Sequence, residues 1–171
     1  MRRVAILAIA FVLFLPFSAA SQTRKRAPRR PGTTTTAPKI SEAVRTGAVR
    51  VAEQIKALTK FIYLLGGVAK SMDQTEAAIR RKEAPPAVVD QFQRDKATLK
   101  LSFQTVRQNL DKLEIDFRAS PELNRYYIKL AGVAAGAATA ENQAAAGQLD
   151  QAGRNLLGVV NRLTDVLLEM R

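Results

Sequence analysis

From Val44 to Ile79 an apolar side chain returns every seventh position: Val44, Val51, Leu58, Leu65, Met72 and Ile79. Ala48, Ile55, Ile62 and Ala69 fill the alternate places, so the spacing runs 4,3,4,3. A half-buried strand needs a period of two. This period instead lays one stripe along a helix and drives it side by side against other helices. The rhythm crosses Gly66-Gly67 without a change of phase. Two interior glycines cost about 2 kcal/mol of helix preference together, yet the preserved phase predicts a single helix over about 41–82, with Ser41 as its N-cap.

Glu83-Ala84-Pro85-Pro86 stops that helix, because consecutive prolines lack the donors and the backbone freedom to continue it. A second helix is expected over about 87–118. Its stripe is Val89, Phe92, Lys96, Leu99, Phe103, Val106, Leu110, Leu113 and Phe117. Ser120-Pro121-Glu122 then reads as a restart, with a capping hydroxyl, a proline at the first helical position and an acid at the positive helix end. The remaining segment opens alanine-rich, AGVAAGAATAENQAAAG, and closes on the stripe Leu149, Ala152, Leu156, Val159, Leu163, Val166 and Met170. Gly132 and Gly136 lie four apart among the alanines, which suits close helix packing.

Short connections force antiparallel neighbours. The fold class is therefore all-α, an elongated antiparallel helical bundle. Three long helices with the last one overhanging are the expected arrangement. A break near 143–148, with the chain folding back near Gly147, gives the four-helix alternative.

The sequence contains neither cysteine nor histidine. Disulfides, thiol nucleophiles, histidine bases and Cys/His zinc sites are thereby excluded, and stability must come from buried apolar surface. No cofactor and no catalytic site is expected, so the chain reads as a non-enzyme.

The N-terminus has the anatomy of a secretory leader over 1–20. Arg2 and Arg3 precede an apolar run from Val4 to Leu15, followed by Pro16, with Ser18 and Ala20 at −3 and −1 of a cut after Ala20. Export to the periplasm or the extracellular space is the expected localisation; an uncleaved anchor is the competing one. Residues 21–39 form a basic Pro/Thr-rich linker, expected to be disordered, and a helical domain follows over 40–171.

Charge is concentrated at the front. Arg2, Arg3, Arg24, Lys25, Arg26, Arg29, Arg30 and Lys39 are eight of the 27 basic residues, and no acid precedes Glu42. The other 19 bases face all 15 acids, so the remainder carries only +4 of the total +12. Arg24, Lys25, Arg26, Arg29 and Arg30 are the candidate contacts for an anionic lipid or another envelope polyanion, each contributing about 1 kcal/mol at such a surface. A plain spacer is the competing reading. Nucleic acid is disfavoured, since no aromatic residue is interleaved for base stacking.

Glu76 and Lys96 occupy stripe positions on neighbouring helices and form a candidate register pair. Asp111, Glu114 and Asp116 are weighed as a cation site against ordinary surface pairing, which is favoured. Tyr126 and Tyr127 are weighed as a ligand platform against one ring closing the core. The expected function is an exported, non-catalytic interaction or scaffolding module of a bacterial envelope, with an unidentified protein partner and self-association left open. The alternative is a small-ligand or lipid-binding bundle using space beside the alanine-rich face.

Overall fold

The computed structural model describes residues 41–171. The leader, the cut after Ala20 and the basic linker lie outside the described residues. Five helices follow one another: α1 Glu42–Arg80, α2 Pro86–Ala119, α3 Asn124–Leu130, α4 Val133–Ala145 and α5 Leu149–Glu169. The all-α class is as expected, and the described residues contain no strand.

Ser41 caps α1 as expected, its hydroxyl accepting from the Val44 amide at 3.3 Å. The helix runs unbroken through Gly66-Gly67. It stops just before the prolines, at a left-handed turn. Lys82 adopts φ 57°, its amide donating to the Ile79 carbonyl (2.9 Å), while the Glu83 amide reaches Ala78 (3.0 Å). This is the hydrogen-bond pattern of a Schellman ending, with lysine where glycine is usual. Pro86 then opens α2, where its missing N–H costs nothing.

The expected single last helix is three helices, and this corrects the three-helix arrangement. At Ser120-Pro121-Glu122 the hydroxyl donates to Glu122 at 3.1 Å instead of capping the backbone, and α3 begins only at Asn124. Gly132, at φ 94°, breaks the chain between α3 and α4. Gly147, at φ 80°, breaks it again, in a second Schellman turn where Gln148 donates to the Gln143 carbonyl at 2.8 Å. Side-chain entropy is not at issue at these two points; glycine alone takes the left-handed backbone without a Cβ penalty.

The long helices form a ring in the order α1, α2, α4, α5, with α3 against α2 and α5 at one end. Every neighbour is antiparallel, as cross-helix contacts show. Arg50 meets Asp116, Arg107 meets Glu141, Gln143 meets Asn155 and Gly153 faces Leu65. The structure is the four-helix alternative, with two short members.

The core is a continuous seam of Val51, Leu58, Leu65, Phe103, Leu110, Phe117, Ala137, Leu156 and Leu163. Phe61 and Phe103 cross edge to face, their ring centroids 5.1 Å apart. The alanine-rich helix is filled by approach of its partner: a methyl on Gly136 would stand 2.8 Å from Val159 Cγ2.

Helix lengths then decide the outline of this unit. At 1.5 Å per residue, the 39 residues of α1 and 34 of α2 give rods of about 58 and 51 Å, against about 20 Å for the 13 of α4 and 32 Å for the 21 of α5. The α4–α5 turn lies level with Ala69 and Asp73. Beyond that level α1 and α2 continue alone as a two-helix hairpin, residues 73–98. It is this hairpin that overhangs, not the last helix.

Candidate functional site

The base of the hairpin is where polar chemistry gathers. An open cleft of about 320 Å³ lies between α1 and the α4–α5 turn, lined by Ala69, Asp73, Gln148, Asp150, Gln151 and Arg154. It exists because Gly147 turns the chain back while α1 carries straight on. Earlier along α1 are Gly66 and Gly67, where an added methyl would meet nothing within 4 Å. Tyr63, one turn earlier, is 83% exposed, and Leu64 is 53% exposed. The cleft itself holds two carboxylates, Asp73 and Asp150, and one guanidinium, Arg154.

Glu76 and Lys96 lie on the hairpin but do not meet as an ion pair. The Glu76 carboxylate binds Arg80 on its own helix at 2.8 Å. That hydrogen bond, then the charge of Arg80, and last and least the charge of Lys96, hold the carboxyl below the ordinary glutamate range. Lys96 is exposed and its Nζ sits 5.5 Å from the centre of the Phe92 ring. With only two helices at this level, neither group is forced into contact. Snorkelling along the stripe satisfies each one separately.

The acidic cluster near the end of α2 is dismantled by the tertiary structure. Asp111 faces solvent. Asp116 pairs with Arg50 across the α1–α2 seam. Glu114 reaches over to α4, where one carboxylate oxygen accepts from the amides of Gly132 (3.0 Å) and Ala134 (2.8 Å). It caps from another helix the start of α4, which its own N-cap glycine cannot cap, and places negative charge at the positive helix end. No group of three or more acidic side chains is placed to hold a metal among the described residues.

Sequence reasoning missed this cap and also the Arg107–Glu141 pair, in which Nε and Oε2 are 2.8 Å apart and the Glu141 side chain is only 16% exposed. Both partners look like ordinary surface charges until the antiparallel register of α2 and α4 is known. Lys129 pairs with Glu169 between α3 and α5.

Tyr126 is buried at the opposite end, with Leu123, Val44 and Met170 in the same core. Its hydroxyl accepts from Arg125, whose guanidinium lies 4.5 Å from the ring centre. Tyr127 is half-buried. The pair closes the end of the bundle. Arg24, Lys25, Arg26, Arg29 and Arg30 lie outside the described residues. Among the described residues no helix is long and apolar enough to cross a membrane. Comparison with protein-family models, with curated proteins and with solved structures finds no match to this chain.

Proposed function

We propose that the chain is an exported, non-catalytic helical-bundle protein that acts as an interaction or scaffolding module in a bacterial envelope. Its surfaces do the binding, and its basic linker holds it to anionic material. The observation that supports this best is where the side chains are spent. Arg50, Arg107, Glu114, Asp116 and Glu141 hold helices to one another. Large apolar residues such as Tyr63 and Leu101 (62% exposed) stand outward. Surface apolar residues backed by a rigid bundle suit recognition of another macromolecule.

In the same proposal the leader directs export, and Arg24, Lys25, Arg26, Arg29 and Arg30 make reversible contacts with anionic head groups. Clustered exposed charges of this kind lose their grip as salt rises. The test is co-sedimentation of the chain from Ser21 with vesicles of phosphatidylcholine and phosphatidylglycerol, compared with a variant in which those five residues are serine. Binding that needs the five charges and fades toward about 0.5 M salt is expected. Equal binding by both proteins, or binding indifferent to salt, refutes the electrostatic part. Recovery of the unprocessed chain in the cytosolic fraction refutes export.

A further inference from the structure

Gly132 and Gly147 take the left-handed backbone, and at Gly47 and Gly136 a methyl would come within 2.8 Å of a neighbouring side chain. Gly66 and Gly67 have neither reason to be glycine. Both lie inside α1 without a positive φ, both are exposed, and a methyl on either meets nothing within 4 Å. Alanine would fit, and an interior glycine is roughly fourfold less favourable in a helix than alanine. The pair therefore leaves one turn of α1 intrinsically weak, with its outer backbone bare to water. Pairs of the smallest residues, and water entering the hydrogen-bond ladder, are ordinary causes of helix bending.

The weak turn sits where the support of α1 changes. Up to the pair, α1 is held by both α2 and α5, with Leu65 buried and facing Gly153. The turn that opens α5 lies level with Ala69 and Asp73, and beyond it the arm of α1 rests on α2 alone. The 34 residues of α2 contain no glycine. Bending of the hairpin is thus concentrated at one point in α1 and spread gently along α2.

We infer that Gly66-Gly67 is a hinge built into α1, with the four-helix body fixed on one side and the hairpin moving on the other. The cleft straddles this hinge. Ala69 sits near the fulcrum and Asp73 one turn farther out along the arm, whereas Gln148, Asp150, Gln151 and Arg154 belong to the start of α5 and the residue before it. Bending at the pair therefore changes the separation of Asp73 from Asp150 and Arg154, and the cleft widens or narrows with it. Among the described residues no ion pair joins the two walls, so no contact of that kind latches one opening. The inference does not rest on the leader or the basic linker, and its failure would leave the binding role proposed above untouched.

The chain has no cysteine of its own, so spin labels go only where cysteine is introduced. Double electron–electron resonance on the chain from Ser21 compares two spans between exposed positions. Ala77→Cys with Asn161→Cys reaches across the glycine pair; Thr46→Cys with Asn161→Cys stays on the body side of it. The first span should show the broader distance distribution. Gly66→Ala with Gly67→Ala should narrow that span, leave the second unchanged, and slow exchange of the 68–80 amides about tenfold. Gly158→Ala, equally open but within α5, should alter neither the first span nor those amides. Equal widths for the two spans overturn the hinge, as does a broad first span that the paired alanines leave unchanged or that Gly158→Ala narrows as much.

Discussion

The four-helix body and the two-helix hairpin are built from the same sequence rule and end in different physical states. In the body, heptad positions meet three neighbours and disappear from solvent: Phe103, Leu110, Leu156 and Leu163 are all at 0% exposure. In the hairpin the same positions meet one neighbour, and a glutamate and a lysine are tolerated among them. Periodicity therefore specifies a face, but the number of helices that arrive at that face specifies its energy. A stripe with one partner is permissive; a stripe with three is not.

The largest expected effect separates the two regions directly. Phe103→Ala should destabilise the chain by about 3–5 kcal/mol, read from urea unfolding, because no neighbour can collapse into the space. Ile79→Ala in the hairpin should cost less, about 1–2 kcal/mol, since that side chain is only partly withdrawn from water. Equal losses would show that body and hairpin are one cooperative unit. Native-state hydrogen exchange offers the same comparison without mutation, with amides of 73–98 opening at lower free energy than those of α4 and α5.

Next in size are the contacts that hold α4 in place. Gly136→Ala must push a methyl toward the stiff Val159 side chain and should cost about 1–3 kcal/mol. Glu114→Ala removes the acceptor for two amides at the start of α4 and should also cost about 1–3 kcal/mol. Both losses belong to the body, so exchange in the hairpin should be the less affected. Uniform acceleration along the whole chain would blur the distinction.

A smaller, opposite effect lies at the hairpin tip. Lys82→Gly relieves the left-handed backbone at the end of α1 and should stabilise the tip by about 0.5–1 kcal/mol, as the glycine in the matching turn at 147 already does for α4. Slower exchange of the Ile79 to Glu83 amides would register it; no change would mean that the tip relaxes out of this turn in solution.

Smallest is the acid limb of Glu76. Its carboxyl is held below the ordinary range by the Arg80 hydrogen bond, so its contribution is fully present above the unfolded value and is lost as pH falls through the folded one. Glu76→Gln should flatten hairpin exchange across that acidic window alone. The same flattening at neutral pH would point to another cause.

Much of the fold is legible in the sequence. The stripe from Val44 to Ile79 locates α1 within two residues of its observed ends, because a core that long leaves no other conformation able to bury it. Pro85-Pro86 fixes the first reversal for the equally local reason that proline removes donors. The candidate site is far less legible. Glu114 is four residues from Arg118 and near Lys112, and reads as one more surface charge. Only the approach of α4 turns it into a cap. Likewise nothing near Asp73 in the chain announces Asp150 or Arg154, which arrive through the turn at Gly147.

By itself, the amino-acid sequence determined that this protein is helical, where its first two helices lie, and which chemistries are closed to a chain without cysteine or histidine. Those conclusions depend on local dihedral preferences, a short period and side-chain inventory. Tertiary structure decided that the last segment breaks at Gly132 and Gly147 and that α4 and α5 are too short to cover the ends of α1 and α2. It also decided that Glu76 answers to Arg80 and not to Lys96. Those outcomes turn on which distant side chains meet, and a left-handed glycine or an uncovered stripe acquires its meaning only from the neighbours that do or do not reach it.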